Sequence, residues 1–261
     1  MKPLRLWRRF FTVSLMREAE YRFNFALGLL QAVAEIFLML VLYLAFYRFA
    51  DEVAGWTRDE ALLLLGVFWI FDGVWSAALT PNLRALAGLI QDGDLDFVLL
   101  RPVSTQFLVS CGSVRVRELL KVVVGIVIVA RAGDAVGVAW RPDTLVGALA
   151  FGACGLTLMY ALHFTIVTCT FWALKVSELY ILPGTLYDGA RFPVTYFKPP
   201  MRQLLTYVVP VAFATTFPAQ ALLGTADWHL LPLGILLSAG ALLASNRFWH
   251  FALRHYSSAT S

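Results

Sequence analysis

From residue 25 to residue 47 the chain reads FALGLLQAVAEIFLMLVLYLAFY, with Gln31 and Glu35 as its only strongly polar members. An uninterrupted apolar run of this length is what a helix needs to cross a hydrocarbon core of about 30 Å. Similar runs return at 61–80, 144–174 and 230–249. The composition agrees: 59% of the residues are hydrophobic and only 15% charged, against roughly 25% charged in soluble domains. That excludes an ordinary soluble enzyme, a disordered tail and a nucleic-acid-binding module. A length of 261 residues suits one compact membrane domain of about six spans. The expected fold is an all-α membrane protein whose six transmembrane helices form a single domain over 25–249.

The expected spans are 25–47, 61–80, 118–138, 144–174, 204–224 and 230–249. Asp72 lies near the middle of the second, and Pro81 closes it. The clean apolar part of the third, 122–130, is short. It must extend back through Glu118 and Lys121 or forward through Arg131, with Arg131 turned toward protein rather than lipid. The fourth is long enough to tilt. The stretch 175–203, rich in Pro, Gly and Tyr, is expected to run along the interface. Pro210 and Pro218 should break or kink the fifth span unless neighbours satisfy the freed carbonyls. Residues 82–117 are too polar to span and too apolar for a free loop, so they should lie at the surface and dock on something.

Residues 1–24 carry Lys2, Arg5, Arg8, Arg9, Arg17 and Arg22, with no apolar core preceding a small-residue cleavage site. On a helical wheel Leu4, Leu6, Trp7, Phe10, Phe11, Val13, Leu15 and Tyr21 share one broad arc, and Arg5, Arg8 and Arg9 fall opposite. This pattern describes an amphipathic interfacial helix lying along the membrane; a merely positive flank orienting the first span is the plainer alternative. With the N-terminus in the cytoplasm, the inner segments 1–24, 81–121, 175–203 and 247–261 hold 17 of the 21 Lys and Arg residues. Arg48, Arg58, Arg131 and Arg141 fall outside. This bias obeys the positive-inside rule and puts both termini, including the tail 250–261, in the cytoplasm of a multi-pass protein of the cell membrane.

The chain has no G-x-x-x-x-G-K-[ST] cradle for phosphate, no H-E-x-x-H pair and no G-x-S-x-G nucleophile turn. Its three cysteines have no metal-ligand spacing, and Cys154 and Cys169 read as small buried hydrophobes. No catalytic, cofactor-binding or metal-binding residue is therefore assigned. Asp72 and His163 lie within spans, but spacing assigns them no serine or cysteine partner. What remains is a polytopic protein with a substantial amphipathic connector, which points to transport powered from elsewhere.

Three stretches then carry a resemblance. Residues 88–104, GLIQDGDLDFVLLRPVS, resemble the G-x-L-D-x-x-L-L-R-P-[LV]-S stretch of ABC-2 type permeases. They are most similar to the branch in which two permease genes accompany one ATPase gene. A second likeness runs over 178–224 through RFPVTYF, LLTYVVPVAF and FPAQALLG. The third is the tail LRHYSSA at 253–259, where Ala252 and His255 replace the usual Gly and Arg. The resemblance implies a permease half that pairs with a second permease, a different chain more readily than a copy, and with a cytoplasmic ABC ATPase dimer. ATP and Mg would be bound by the ATPase, not by this chain. It also implies a coupling helix between the second and third spans, for which the candidate is 86–100.

In that stretch Gly88 and Gly93 bracket an acidic turn, and Gly93 allows a sharp change of direction. Asp92, Asp94 and Asp96 can accept charge-assisted hydrogen bonds from a basic partner. Leu95 belongs to the same candidate coupling set, and Arg101 followed by Pro102 fixes the exit. A solvated acidic turn is the plain alternative. Inside the membrane, Glu35, Asp72, His163, Pro210 and Pro218 are the candidate residues of a translocation path. Ionisable groups at such depth cost about 2.5–3.5 kcal/mol on insertion scales, so they should face protein or a wet cavity. Glu35 and Asp72 either line that path or are protonated or paired, with His163, Arg131 or a second permease as possible partners. The functional expectation is an ATP-driven permease, most simply an exporter; the alternative is an ion- or proton-coupled carrier using Glu35 and Asp72.

Overall fold

The computed structural model describes residues 3–172, 184 and 187–255. Residues 173–174 of the expected fourth span, 178–183, 185 and 186 of the second family-like stretch and 256–259 of the tail lie outside them. Helix α1 spans Pro3–Glu20, and the chain bends at Tyr21 into α2, Arg22–Phe46. A two-residue β-pair, Glu52–Val53 with Trp56–Thr57, leads into α3. A capping box starts that helix: the Thr57 N–H donates to Glu60 Oε2 at 2.8 Å. Four helices are long and apolar enough to cross a membrane among the described residues: α2, α3 (Arg58–Gln91), α7 (Pro142–Thr168, extended to Phe171) and α11 (Leu230–His255). They match the expected first, second, fourth and sixth runs, and the protein is an all-α membrane protein.

Helix α3 is the central one, with 67% of its most apolar window buried, against 17% for α2. It does not stop at Pro81. A π-helical turn, Trp75–Leu79, widens the helix, and Thr80–Gln91 then continues it. Pro81 has no N–H for the carbonyl of Ala77 four residues back. That oxygen instead accepts from Arg115 N–H at 2.9 Å. The freed acceptor is satisfied from another segment, so the helix survives.

The expected coupling helix 86–100 is likewise two pieces rather than one. Helix α3 ends at Gln91, Gly93 turns the chain at φ +78°, and α4 (Leu95–Leu99) follows. A non-glycine residue resists that left-handed conformation. Ser104 then caps α5, Thr105–Cys111.

A 3-10 turn, Val116–Glu118, opens α6, Leu119–Val136, close to the expected 118–138. Helix α6 carries Lys121, Arg131 and Asp134, and it survives by packing antiparallel on α3. Gly66 abuts Val129 and Gly73 abuts Val122, so the two backbones nearly touch. Arg131 does not turn toward protein as expected. Lys121, Gly125, Val129 and Ala132 form the buried stripe of α6, and Arg131 falls about 200° round the helix from Val129 and is exposed. Gly137, at φ +80°, ends α6 in a left-handed cap. Pro142 at the first helical position starts α7.

Helices α7 and α11 run parallel: Trp228 covers Gly147, Ser238 Oγ donates to Cys154 O, and Trp249 packs on Phe164. The chain must therefore cross back between them, and it does not do so in one helix over 204–224. Helix α8 (Pro199–Gln203) passes into a π turn, Leu204–Val208, and the backbone leaves helical geometry at Val209 and Pro210. Helices α9 (Val211–Ala214) and α10 (Thr216–Leu223) follow. Thr206, Tyr207 and Val208 share a cleft with Leu158, Ala161 and Thr165 of α7, whereas Ala214 abuts Gly155 and Phe217 packs on Phe151. The segment 199–223 is thus a hairpin that dips along α7 and climbs back. Pro210 makes the turn. Pro218 sits in the first turn of α10, where a missing N–H costs nothing, and Thr215 carries the second break.

The stretch 187–197 does not run along an interface. It climbs through the bundle: Tyr187 packs on Phe71, Phe192 stacks on Tyr43, and Tyr196 OH bonds Tyr47 OH beside Trp56. Helix α1 covers the opposite end. Among its described residues Ser14 is buried, its Oγ accepting from Val114 N–H at 3.0 Å, while Trp7, Val13, Leu15 and Met16 stay exposed.

Candidate functional site

Glu35 on α2, Asp72 on α3 and Lys121 in the first turn of α6 converge. The Lys121 ammonium lies 2.8 Å from Asp72 Oδ2, 3.3 Å from Glu35 Oε2 and 3.3 Å from Glu118 Oε2. It also faces the Trp69 ring, 5.6 Å from its centroid. The other Asp72 oxygen accepts from Tyr187 OH at 3.2 Å and Ser76 Oγ at 3.4 Å. Glu35 reaches the other way to Arg191 Nη2 at 3.3 Å, which also bonds Asp188 Oδ1 at 2.9 Å. The Arg191 guanidinium covers the Phe68 ring, and its backbone carbonyl accepts from Tyr43 OH. Two acids that would repel each other are therefore bridged by one cation. The charges of Asp72 and Lys121, both nearly enclosed, compensate each other in a setting where an unpaired charge is costly.

The other candidate residues lie elsewhere. His163 on α7 bonds Met159 O through Nδ1 at 2.9 Å and packs its ring on Trp75. Pro210 faces the α7–α11 cleft, and Pro218 faces an apolar groove of about 380 Å³ lined by Val67, Val74 and Gly152.

At the far end of α3 the acidic turn projects from the bundle. Gly88 O accepts from Asp92 N–H at 2.8 Å and Asp94 O from Phe97 N–H at 3.2 Å. Leu95 is completely buried and pins α4 to the body, together with Leu86 and Ile90. Asp92, Asp94, Arg101 and Pro102 are exposed, Asp96 is half-buried, and Phe97 and Leu100 stand out at 69% and 82% exposure. The turn thus presents an apolar ledge framed by acids on one side and a guanidinium on the other.

The family model described as ABC-2 family transporter protein matches residues 29–260. The chain belongs to that family. No curated protein and no solved structure matches it. The match takes in the ion network, the acidic turn, most of α2 and all the apolar helices after it.

Three contributors to the permease's architecture escape the sequence reading: Lys121 and Arg191 as the cations of the network, and Asn82. Lys121 had a local signal, since Glu118 three residues before it forms an i,i+3 pair. Arg191 opens the family-like RFPVTYF stretch, but nothing in its spacing points to Glu35. Asn82 reads as an ordinary polar residue after Pro81. In the structure it is buried and uses its whole amide: Nδ2 donates to Ala78 O and to Ser113 O at 2.8 Å, and Oδ1 accepts from Ser113 N–H at 2.9 Å and Ser113 Oγ at 3.1 Å.

Proposed function

We propose that this permease is the transmembrane half of an ABC exporter with six membrane crossings, in which separate ATPase subunits drive the cycle by gripping the turn at 88–104. The observation that carries the reading is the continuous helix Arg58–Gln91. Its 34 residues extend about 51 Å at ~1.5 Å per residue, against a hydrocarbon core of about 30 Å. One helix therefore both crosses the bilayer and projects from it, and its projecting end carries the acids and the apolar ledge. An exposed Phe and Leu framed by charge suit a protein partner better than water.

Charge supports the orientation. The end holding α1 and the acidic turn carries Arg5, Arg8, Arg9, Arg17, Arg101, Arg115, Arg117 and Arg254, and the Trp56 end carries Arg48, Arg58, Arg131, Arg141, Lys198 and Arg202. The positive-inside bias thus supports a cytoplasmic α1, turn and pair of termini, with α1 as an interfacial helix, even though Lys198 and Arg202 move to the other end. A second permease of a different chain completes the pathway, and ATP and Mg belong to the ATPase.

Asp94→Lys combined with Asp96→Lys should abolish co-purification of the ATPase while the permease keeps its elution volume and melting temperature. ATPase retention at the wild-type level would defeat the coupling assignment. The partly open side chain of Glu35, 35% exposed, favours one second reading, an ion-driven carrier. On that reading Glu35→Gln abolishes gradient-driven uptake in ATP-free vesicles; on ours such vesicles show none to abolish.

A further inference from the structure

Just before Asn82, α3 is weakest as a rod. The π turn Trp75–Leu79 interrupts the regular ladder, and Pro81 leaves the carbonyl of Ala77 without its usual donor four residues on. Two carbonyls of this turn accept from outside the backbone ladder of the helix: Ala77 O from Arg115 N–H, and Ala78 O from the Asn82 side-chain amide. The same amide holds Ser113 by its N–H, its hydroxyl and its carbonyl. Segment 113–118 is fixed on its other side by α1, since Val114 N–H donates to Ser14 Oγ and Arg117 N–H to Glu18 Oε2 at 3.2 Å. From there the chain passes through Glu118 into α6, whose Lys121 holds Asp72 and Glu35.

We infer that Asn82 is a positioning residue for transport: it clamps the projecting half of α3 to segment 113–118, so that displacement of the acidic turn carries the start of α6 and its ion network with it. The inference rests on the proposed ATPase drive at that turn. Asn82 touches neither cargo nor ATPase. Its amide fits the role because three of its four hydrogen bonds join two segments 31 positions apart, while the fourth holds Ala78 O on its own helix. Without it, the π turn is a free hinge and the push dissipates there.

The test uses the assembled permease–ATPase complex with Cys111, Cys154 and Cys169 replaced by Ala. Spin labels are placed through Ala85→Cys on α3, Val123→Cys on α6 and Leu236→Cys on α11, all exposed positions. Distances are measured without nucleotide and with ATP plus vanadate. With Asn82 intact, nucleotide should shift both the 85–236 and the 123–236 distances, by about 2 Å or more, and leave 85–123 unchanged. In Asn82→Ala the resting distances should be retained and the 85–236 shift should persist. The 123–236 shift should vanish and 85–123 should change. A 123–236 shift equal to that of the parent would overturn the clamp. Absence of any nucleotide-driven shift at residue 85 in the parent would instead overturn the ATPase drive, so the two failures are distinguishable. If Asn82→Ala does not assemble, Ser113→Ala removes only the hydroxyl bond, and Pro81→Ala gives Ala77 O a competing donor. Each should reduce the 123–236 shift, and an undiminished shift in both would overturn the inference.

Discussion

Lys121→Met is expected to destabilise the permease by about 3–5 kcal/mol, the range for removing one partner of a buried ion pair. The side chains of Lys121 and Asp72 are 8% and 10% exposed, so water does little to replace the lost partner. The three carboxylates around the ammonium are not equally affected. Glu35 retains Arg191, and Glu118 retains Arg117 at 3.5 Å. Among the described residues Asp72 retains only hydroxyl donors, Tyr187 and Ser76, so most of the loss resides there. Adding Asp72→Asn to Lys121→Met removes the stranded charge and should recover more than half of the lost stability. Denaturant unfolding in detergent, run on both single variants and the double variant, closes the cycle. A Lys121→Met protein within about 0.5 kcal/mol of the parent, the usual range for a neutral surface change, would mean that Asp72 carries no charge.

The same residues show how far the chain could be read in advance. The first, second, fourth and sixth apolar runs became long helices because bilayer thickness alone dictates such a run, with no help from distant neighbours. The projecting acidic turn was legible through Gly93, whose positive φ is a local necessity. Pro81 misled because its compensation comes from Arg115, in a different part of the chain. The run 204–224 misled for another reason. A hairpin buried in the membrane and a helix crossing it must both be apolar, so hydropathy cannot separate them. What separates them is local: the turn at Pro210, the break at Thr215, and Thr216 Oγ accepting from Val194 N–H at 3.3 Å. Asp72 and Glu35 were recognisable as groups needing partners, but their common partner is set by the register of α6 against α3. That register depends on three glycines whose role appears only once the helices are face to face.

Those glycines yield the second large effect. A Cβ on Gly125 would lie 2.7 Å from Gly66 O and 2.8 Å from Ile70 N, and one on Gly66 would lie 2.9 Å from Val129 N. The obstructing atoms are backbone, so no side chain can swing aside, and relief requires the helices to separate. Close backbone approach is also what drives helix association in lipid, where burying apolar side chains gains little over leaving them in hydrocarbon. Gly125→Leu is therefore expected to yield no monodisperse protein. Gly125→Ala should lose about 1–3 kcal/mol to overpacking, partly offset by the ~1 kcal/mol that Ala gains over Gly inside a helix. Gly152 and Gly240 serve as controls, because a Cβ there meets nothing within 4 Å; Gly152→Ala and Gly240→Ala should be neutral or slightly stabilising. Size-exclusion elution and thermal unfolding in detergent separate the cases, and a Gly125→Leu protein that elutes and melts like the parent would show that α3 and α6 do not meet along this seam. Because Lys121 lies one helical turn from Gly125 on the same buried stripe, loosening the seam should also release the ammonium from Asp72. Gly125→Ala and Lys121→Met should accordingly be less than additive, with the shortfall measuring how much of the ion network depends on the seam that aligns it.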